Sequence, residues 1–392
     1  MKNLFIGIDV ASEKHNCCII NEKLEPLSQF EFSNDCEGFN HLLNSIQSFG
    51  SSVKCNIGLE ATGVYGENLS SFLRRNGFQA TTLNPLAVKK QLSATTLRKT
   101  KTDKSDARFI ATMLAQGNIK PDTPVLYHHS ELKSLSRRRF SLVKKRSGCK
   151  NTATALITKL FPEFLKVFSD TFGASATAVL SRYPSAKTIS VCRPSSLAKL
   201  LEKTSRGRFG IDKARDLIAL AKDSVGTYSF ADELSLQLTL EEIEFYDNQI
   251  DRLEDAMANI LDELDSPILS IPGIGTVLGA MIVSEIGNIE RFSNPNKLLA
   301  FAGLEPSVYQ SGKFTPSSGS MVKRGSPYLR WALMQAARLV PFYSLTFSDY
   351  LSKKQSEGKH FNVASSHVAK KLVRVIFSLT KSNSLFIDHF YA

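Results

Sequence analysis

Long apolar runs are missing from this 392-residue chain. The best candidate, Ile271 to Val283, is short, contains three glycines and is followed by Glu285. It falls well below the roughly 20 apolar residues of a membrane span. The opening MKNLFIGID has one lysine and about five apolar residues before Asp9, too few for a signal-peptide core. The six cysteines (Cys17, Cys18, Cys36, Cys55, Cys149 and Cys192) form no C-x-x-C pair, so they read as reduced, mostly buried thiols of a cytoplasmic protein. The seven histidines show no H-x-x-x-H spacing within a plausible helix, which argues against a structural zinc site. Glycine and proline, 22 and 14 residues, are too few for a low-complexity chain. Acids are in deficit: 49 Lys/Arg stand against 37 Asp/Glu, a net charge of +12. That balance favours a polyanionic partner, nucleic acid first and an anionic membrane surface second.

The excess is concentrated. From Lys89 to Lys150 the chain carries 16 Lys/Arg and 4 Asp/Glu, which equals the surplus of the whole chain. A second stretch, Pro306 to Ser348, has no acid and holds Lys313, Lys323, Arg324, Arg330 and Arg338. Two basic zones imply that an anionic ligand is held from two sides.

Apolar, β-branched segments predict strands at 3–10, 15–21, 25–32, 53–60 and 79–83. Apolar residues at threes and fours predict helices at 35–49, 65–75 and 103–116. The order β-β-β-α-β-α-β-α describes a mixed α/β domain of about 120 residues. Farther on, Glu131 to Phe161 reads as a long, basic, amphipathic helix. Asp232 to Leu264 repeats Leu236, Leu240, Ile243, Ile250, Leu253, Met257, Ile260 and Leu264, the spacing of a coiled coil or long bundle helix, with two shorter helices as the alternative. Ser270-Ile-Pro-Gly-Ile-Gly275 before an apolar helix matches a helix-hairpin-helix turn. There Gly273 and Gly275 would let backbone N–H groups approach a phosphate; a plain tight turn is the alternative. Helices are also predicted at 327–340 and 363–380. The expected divisions are 1–125, a catalytic domain; 126–265, a helical linker and coiled coil; and 266–392, a mainly α domain.

Four acids stand out. Asp9 and Glu60 each end a predicted strand, and Asp103 and Asp106 sit three apart, on one face of a predicted helix. Strand ends of such a sheet open on one crevice. Converging carboxylates repel unless a cation neutralises them, and oxygen-only ligands select Mg²⁺ or Mn²⁺. Two such ions about 4 Å apart suit phosphodiester chemistry. Lys99, Lys101, Lys104 and Arg108 would hold flanking phosphates. Arg137, Arg138, Arg139, Lys144, Lys145 and Arg146 recur seven apart along the long basic helix and read as a backbone-binding face, as do Lys313, Lys323, Arg324 and Arg330 farther on. Each has a blander reading: Asp103 as a helix cap, the charge runs as solvated faces.

On these residues the sequence resembles a known family. GIDVASEKH, GLEATGVYGENL and KTDKSDARFIA look like the three blocks of a RuvC-like DEDD domain. SIPGIG, KLLAFAGLEPSVYQSGK and KRGSPYLRWALMQAA look like the carboxyl-terminal block of the same proteins, the DEDD transposases of bacterial insertion sequences of the one-hundred-and-ten type. The resemblance spans nearly the full chain, in order; about 165–230 and the last forty residues carry no motif of it. It implies a ribonuclease-H-like (RuvC-like) amino-terminal fold, with Mg²⁺ on Asp9, Glu60, Asp103 and Asp106. It implies a nucleophilic serine at Ser311, in Tyr309-Gln-Ser-Gly312, where many members have two serines before the glycine and this chain has Gln310 first. It also implies a structured non-coding guide RNA that pairs with donor and target DNA, homo-oligomers (dimers pairing into tetramers), and a bacterial, nucleoid-associated, cytoplasmic setting with no membrane.

A hydroxyl at Ser311 is a weak nucleophile without a base or a metal. Acids some two hundred residues away could assist it only where the two domains meet, and the long helices are suited to span that gap. The competing readings are a metal-dependent junction resolvase using water and no RNA, an actin-like kinase, and a non-catalytic RNA-binding protein. The kinase lacks a second glycine-rich phosphate loop, and the RNA-binding protein leaves four placed acids unexplained.

Overall fold

The computed structural model describes residues 3–50, 53–60, 65–83, 103–117, 127–306 and 321–388, with only the backbone of 103, 104 and 127. The chain divides into two compact units, Met1–Pro124 and Val125–Ala392.

The first unit is built on a mixed sheet. β1 (Asn3–Asp9), β2 (Lys14–Ile20) and β3 (Pro26–Ser33) form an antiparallel meander, and β4 (Lys54–Glu60) and β5 (Ala80–Leu83) run parallel to β1. The sheet order is β3-β2-β1-β4-β5. The β1 segment is buried at Ile6, Gly7 and Ile8 and reads as an apolar run because both its faces are covered. One face packs on α1 (Cys36–Gln47) and α2 (Tyr65–Arg75), through Phe39, Leu42, Ile46, Leu69 and Leu73. Asp35 caps α1 by accepting from the Gly38 N–H at 2.8 Å. The other face is covered by α3 (Asp103–Ala115), through Ala107, Ile110 and Ala111.

The second unit is helical. α4 (Tyr127–Leu160) leads into four shorter helices: α5 (Ala174–Arg182), α6 (Ala186–Ser190), α7 (Pro194–Ser205) and α8 (Ile211–Lys222). The chain then returns along α9 (Phe230–Leu264). The pairs Arg139–Glu254, Arg146–Asp247, Cys149–Glu242 and Lys159–Asp232 fix α4 and α9 as antiparallel and in register. The heptad segment is thus one unbroken helix rather than two. Beyond it come α10 (Thr276–Ile286), α11 (Pro295–Ala302), α12 (Pro327–Tyr343), α13 (Leu345–Ser356) and α14 (Phe361–Ser382).

Two cores lie at opposite ends of the α4–α9 hairpin. One joins Leu132, Met257 and Leu261 to α10–α14, and the other joins Ala153, Ile157, Leu236 and Leu240 to α5, α7 and α8. From Leu132 to Ile157 along α4 is about 38 Å at 1.5 Å per residue. No helix of the described residues is long and apolar enough to cross a membrane. All six cysteines are free, but only Cys17 and Cys18 are buried, which narrows the expectation of mostly buried thiols. Burial pushes both of these thiols up and leaves them inert.

Candidate functional site

Asp9 and Glu60 close neighbouring parallel strands. The β1–β4 register runs through Gly7↔Gly58 and Ile8↔Leu59, so the next step sets the two acids side by side at the carboxyl edge of the sheet. Both are half-buried. Two residues before each acid, on the same face, stands a glycine, and the pair forms a flat floor under α3. A Cβ on Gly7 would lie 2.1 Å from the Ala107 carbonyl oxygen and 2.4 Å from the Ala111 nitrogen; one on Gly58 would lie 2.8 Å from Leu114 Cδ1. The absent side chains therefore let the helix backbone settle onto the sheet.

That contact places Asp106, which immediately precedes Ala107, on the helix covering the acid-bearing face. Asp106 is 6% exposed and accepts from Ser105 Oγ at 3.5 Å. A carboxylate this buried suits a charge-balancing partner. The donor set is all oxygen, the chemistry of a hard divalent cation. The backbone thus gathers the elements that carry Asp9, Glu60 and Asp106. Among the described residues, however, no three His, Cys, Asp or Glu side chains stand close enough together to form a metal-binding group. Of Asp103 only the backbone, at the first turn of α3, is described; Lys99 and Lys101 lie outside the described residues and Lys104 is described by its backbone alone. Arg108 is exposed on α3.

One neighbour of the acids was missed in the sequence. Asn16 pairs with Asp9 across β1 and β2, which puts both side chains on one face, and it is 8% exposed. A polar amide directly before the apolar run Cys17-Cys-Ile-Ile20 was the available signal. Next to it, His15 is fully buried between Phe32 and Phe39. Its Nδ1 accepts from the Ala11 N–H at 3.2 Å, which ties down the turn that follows Asp9. Burial lowers the His15 pKa against a smaller opposing effect of the Asn34 side chain.

In the second unit the six basic residues singled out on α4 divide into two sets. Arg137 makes a bidentate pair with Glu285 of α10, at 2.6 and 3.1 Å, and its guanidinium stacks 4.6 Å from the Tyr328 ring centroid. Arg139 pairs with Glu254 and Arg146 with Asp247, both on α9. Arg138, Lys144 and Lys145 are exposed. Half of this run is therefore occupied within the chain, a distribution that spacing alone did not separate.

The SIPGIG turn lies between a short 3-10 turn (Pro267–Ser270) and α10. Gly273 has φ +89°, and a Cβ there would press on Tyr343 and Val340. Gly275 is the N-cap of α10; a Cβ there would meet nothing within 4 Å, and Gly275 and Thr276 are exposed, so this eleven-residue helix starts at the surface. Glu285 is 1% exposed and also accepts from Ser326 Oγ at 2.8 Å. Ser326 in turn caps α12, accepting from the Leu329 N–H at 3.1 Å. This network fixes the Lys323-Arg324-Gly325 segment just before α12. Arg330 acts there as a brace, donating to the Lys323 carbonyl at 3.1 Å, whereas Lys323 and Arg324 are exposed. Ser311 and Lys313 lie outside the described residues. The residues flanking that segment, Pro306 and Met321, form an antiparallel bridge.

Comparison with known proteins gives two family matches. Residues 6–162 match the DEDD transposase family of the IS110 type, and residues 265–351 match the transposase family IS116/IS110/IS902. The chain is similar to the 44.8 kDa protein of insertion element IS116 from Streptomyces clavuligerus, 24% identical over 98% of this chain and 96% of that one. It is similar to the pilin gene-inverting protein of Moraxella bovis, 23% identical over 98% of both chains. The transposase for insertion sequence element IS1328 of Yersinia enterocolitica is 28% identical over 35% of this chain and 42% of its own.

Proposed function

This chain belongs to the IS110-type DEDD transposases, enzymes that recombine DNA, and on that premise we propose a serine-linked, metal-assisted and RNA-guided reaction. The observation that carries it is the adjoining of Asp9 and Glu60 at the ends of β1 and β4, with α3 seated on Gly7 and Gly58 beside them. The sheet order and its antiparallel-then-parallel pattern suit a ribonuclease-H-like (RuvC-like) fold.

Asp9, Glu60, Asp106 and Asp103 would hold Mg²⁺ or Mn²⁺, which would offset the charge of the phosphoryl group. Ser311 Oγ attacks a backbone phosphorus. Its O–P bond forms as one backbone P–O bond breaks, its proton passes to a base, and the departing strand leaves with a free hydroxyl. The phosphoserine link conserves the phosphodiester for rejoining. Lys323 and Arg324, exposed next to the Pro306–Met321 bridge, would neutralise phosphates. Arg138, Lys144 and Lys145 form the remaining backbone-reading face on α4, and the Gly273–Gly275 turn offers N–H donors to a phosphate.

The partners are donor and target DNA and a structured non-coding RNA whose pairing supplies sequence choice. The enzyme works as a dimer or tetramer in the cytoplasm, with acids and serine drawn from different subunits. The test is adduct trapping on DNA in the presence of the RNA. Wild type gives a protein–DNA adduct, whereas Ser311→Ala gives none and still binds nucleic acid. An undiminished adduct in that variant overturns the serine assignment. Free 5′-phosphate ends with no adduct in wild type favour the water-using nuclease. Chelation of divalent ions is expected to abolish adduct formation and to leave binding intact.

A further inference from the structure

We propose that the far end of the helical hairpin is a second nucleic-acid-binding surface, in which Lys199, Lys203, Arg206 and Arg208 hold a sugar–phosphate backbone. The proposal rests on the reading that this chain works on nucleic acid, but it concerns a region to which neither the sequence motifs nor the family matches give a role: both matches leave 163–264 uncovered.

The charge of the second unit is unevenly compensated. α9 carries eleven acids against one arginine, and these acids receive Arg139, Arg146 and Lys159 of α4. The shaft of the hairpin is therefore largely neutralised from within. Residues 182–215, by contrast, hold nine Lys/Arg and two Asp/Glu. Within that segment the single ion pair is Arg215–Asp212, exposed on both sides and 3.8 Å long. Lys199, Lys203, Arg206 and Arg208 are exposed, and no carboxylate of the described residues pairs with them.

These cations are ordered rather than scattered. Lys199, Lys203 and Arg206 fall at i, i+4 and i+7, one side of α7 and its cap, while Leu197, Ala198 and Leu201 bury the other side in the tip core. The stripe is about 10 Å long at 1.5 Å per residue. The chain reverses at Arg206 and Gly207 and brings up Arg208, whose guanidinium stacks 5.2 Å from the Phe209 ring centroid. A row of exposed cations along one side of a helix suits a repeating line of phosphates better than a single anion. The same chemistry is offered by duplex RNA and duplex DNA, and the experiment separates them.

The test uses the full chain. Lys199→Ala, Lys203→Ala, Arg206→Ala and Arg208→Ala are combined, and Arg138→Glu with Lys145→Glu forms the shaft control. Binding of fluorescent 30-bp RNA and DNA duplexes is followed over a salt series. The tip variant should bind at least tenfold more weakly at low salt, with the slope of log K against log salt shallower by up to about 3.6 units on duplex DNA, at roughly 0.9 for each of four lost contacts. Loss confined to RNA assigns the surface to an RNA backbone, and loss confined to DNA assigns it to DNA. An unchanged slope and affinity in a tip variant with wild-type circular dichroism overturns the proposal; a simultaneous loss in the shaft control leaves the reading of the chain intact. If wild type binds neither duplex in a salt-dependent way, both fail. Should the fourfold variant misfold, the single reversal Arg208→Glu is read against the same slope.

Discussion

The two glycines under α3 are the residues on which the acid arrangement turns. At Gly7 the obstacle to a side chain is helix backbone, which cannot rotate away; at Gly58 it is the end of the Leu114 side chain, which can. Gly7→Ala should therefore cost several kcal/mol, above the usual 1–3 kcal/mol of overpacking, and lift α3 away from Asp9. Gly58→Ala should cost about 1 kcal/mol. Thermal unfolding together with adduct formation checks this: Gly7→Ala should lose both stability and adduct, whereas equal effects from the two substitutions would contradict the backbone contact. Beside them, His15 gives a pH dependence. Its folded pKa lies below the ordinary value of about 6.5, so below that pH the unfolded chain takes up a proton that the folded chain refuses. Stability should fall as the pH drops from about 6.5 toward the folded pKa, and half-buried His129 and His367 act in the same direction. His15→Leu should flatten the decline of unfolding temperature between about pH 6.5 and 5. An equally steep decline in that variant would assign the acid sensitivity to the other two.

At the scale of the element, α4 shows how much a sequence reveals. Its approximate length follows from spacing, as do all five strands and α1–α3 to within a few residues, because each rests on local periodicity; the antiparallel return of α9 does not, because it is set by contacts between the two helices. The division of its cations does not follow, because the partners are remote: Glu285 is 148 residues from Arg137, and Glu254 is 115 from Arg139. The short helices α5–α8 also escaped, since their common core is assembled from separate segments. At the site, the strand-end acids were legible, but Asn16 was not, because only strand pairing brings it to Asp9. The two classes of cation predict different losses. Arg138→Glu with Lys145→Glu should weaken nucleic-acid binding and reduce its salt slope while leaving unfolding unchanged. Arg146→Glu should instead set like charges together with Asp247 and lower stability by about 1 kcal/mol or more. Adding Asp247→Lys should restore most of that loss; no recovery in the double variant would remove the pair from the account of the hairpin.

Over the whole second unit, one continuous helical hairpin joins two cores, and stability need not be uniform along it. The base core gathers the ends of α4 and α9 and four further helices with α10, whose residues from Leu278 to Ile286 are all buried, whereas the tip core adds short helices with exposed basic surface. Each core can therefore open at its own free energy, with α4 and α9 fraying from the weaker end. Leu217→Ala in the tip core and Leu372→Ala in the base core each remove a fully buried side chain and should cost about 2–5 kcal/mol. Hydrogen exchange separates their consequences. Leu217→Ala should accelerate exchange along 236–243 and in α7 and α8, leaving α14 protected, because the base core keeps its own contacts. Leu372→Ala should accelerate exchange in α12 and α14 and along 257–261 first. Equal acceleration throughout in both variants would mean that the hairpin couples the cores into one cooperative unit, so that the basic tip could not yield to a bound backbone without loosening the end that carries the Lys323-Arg324 segment.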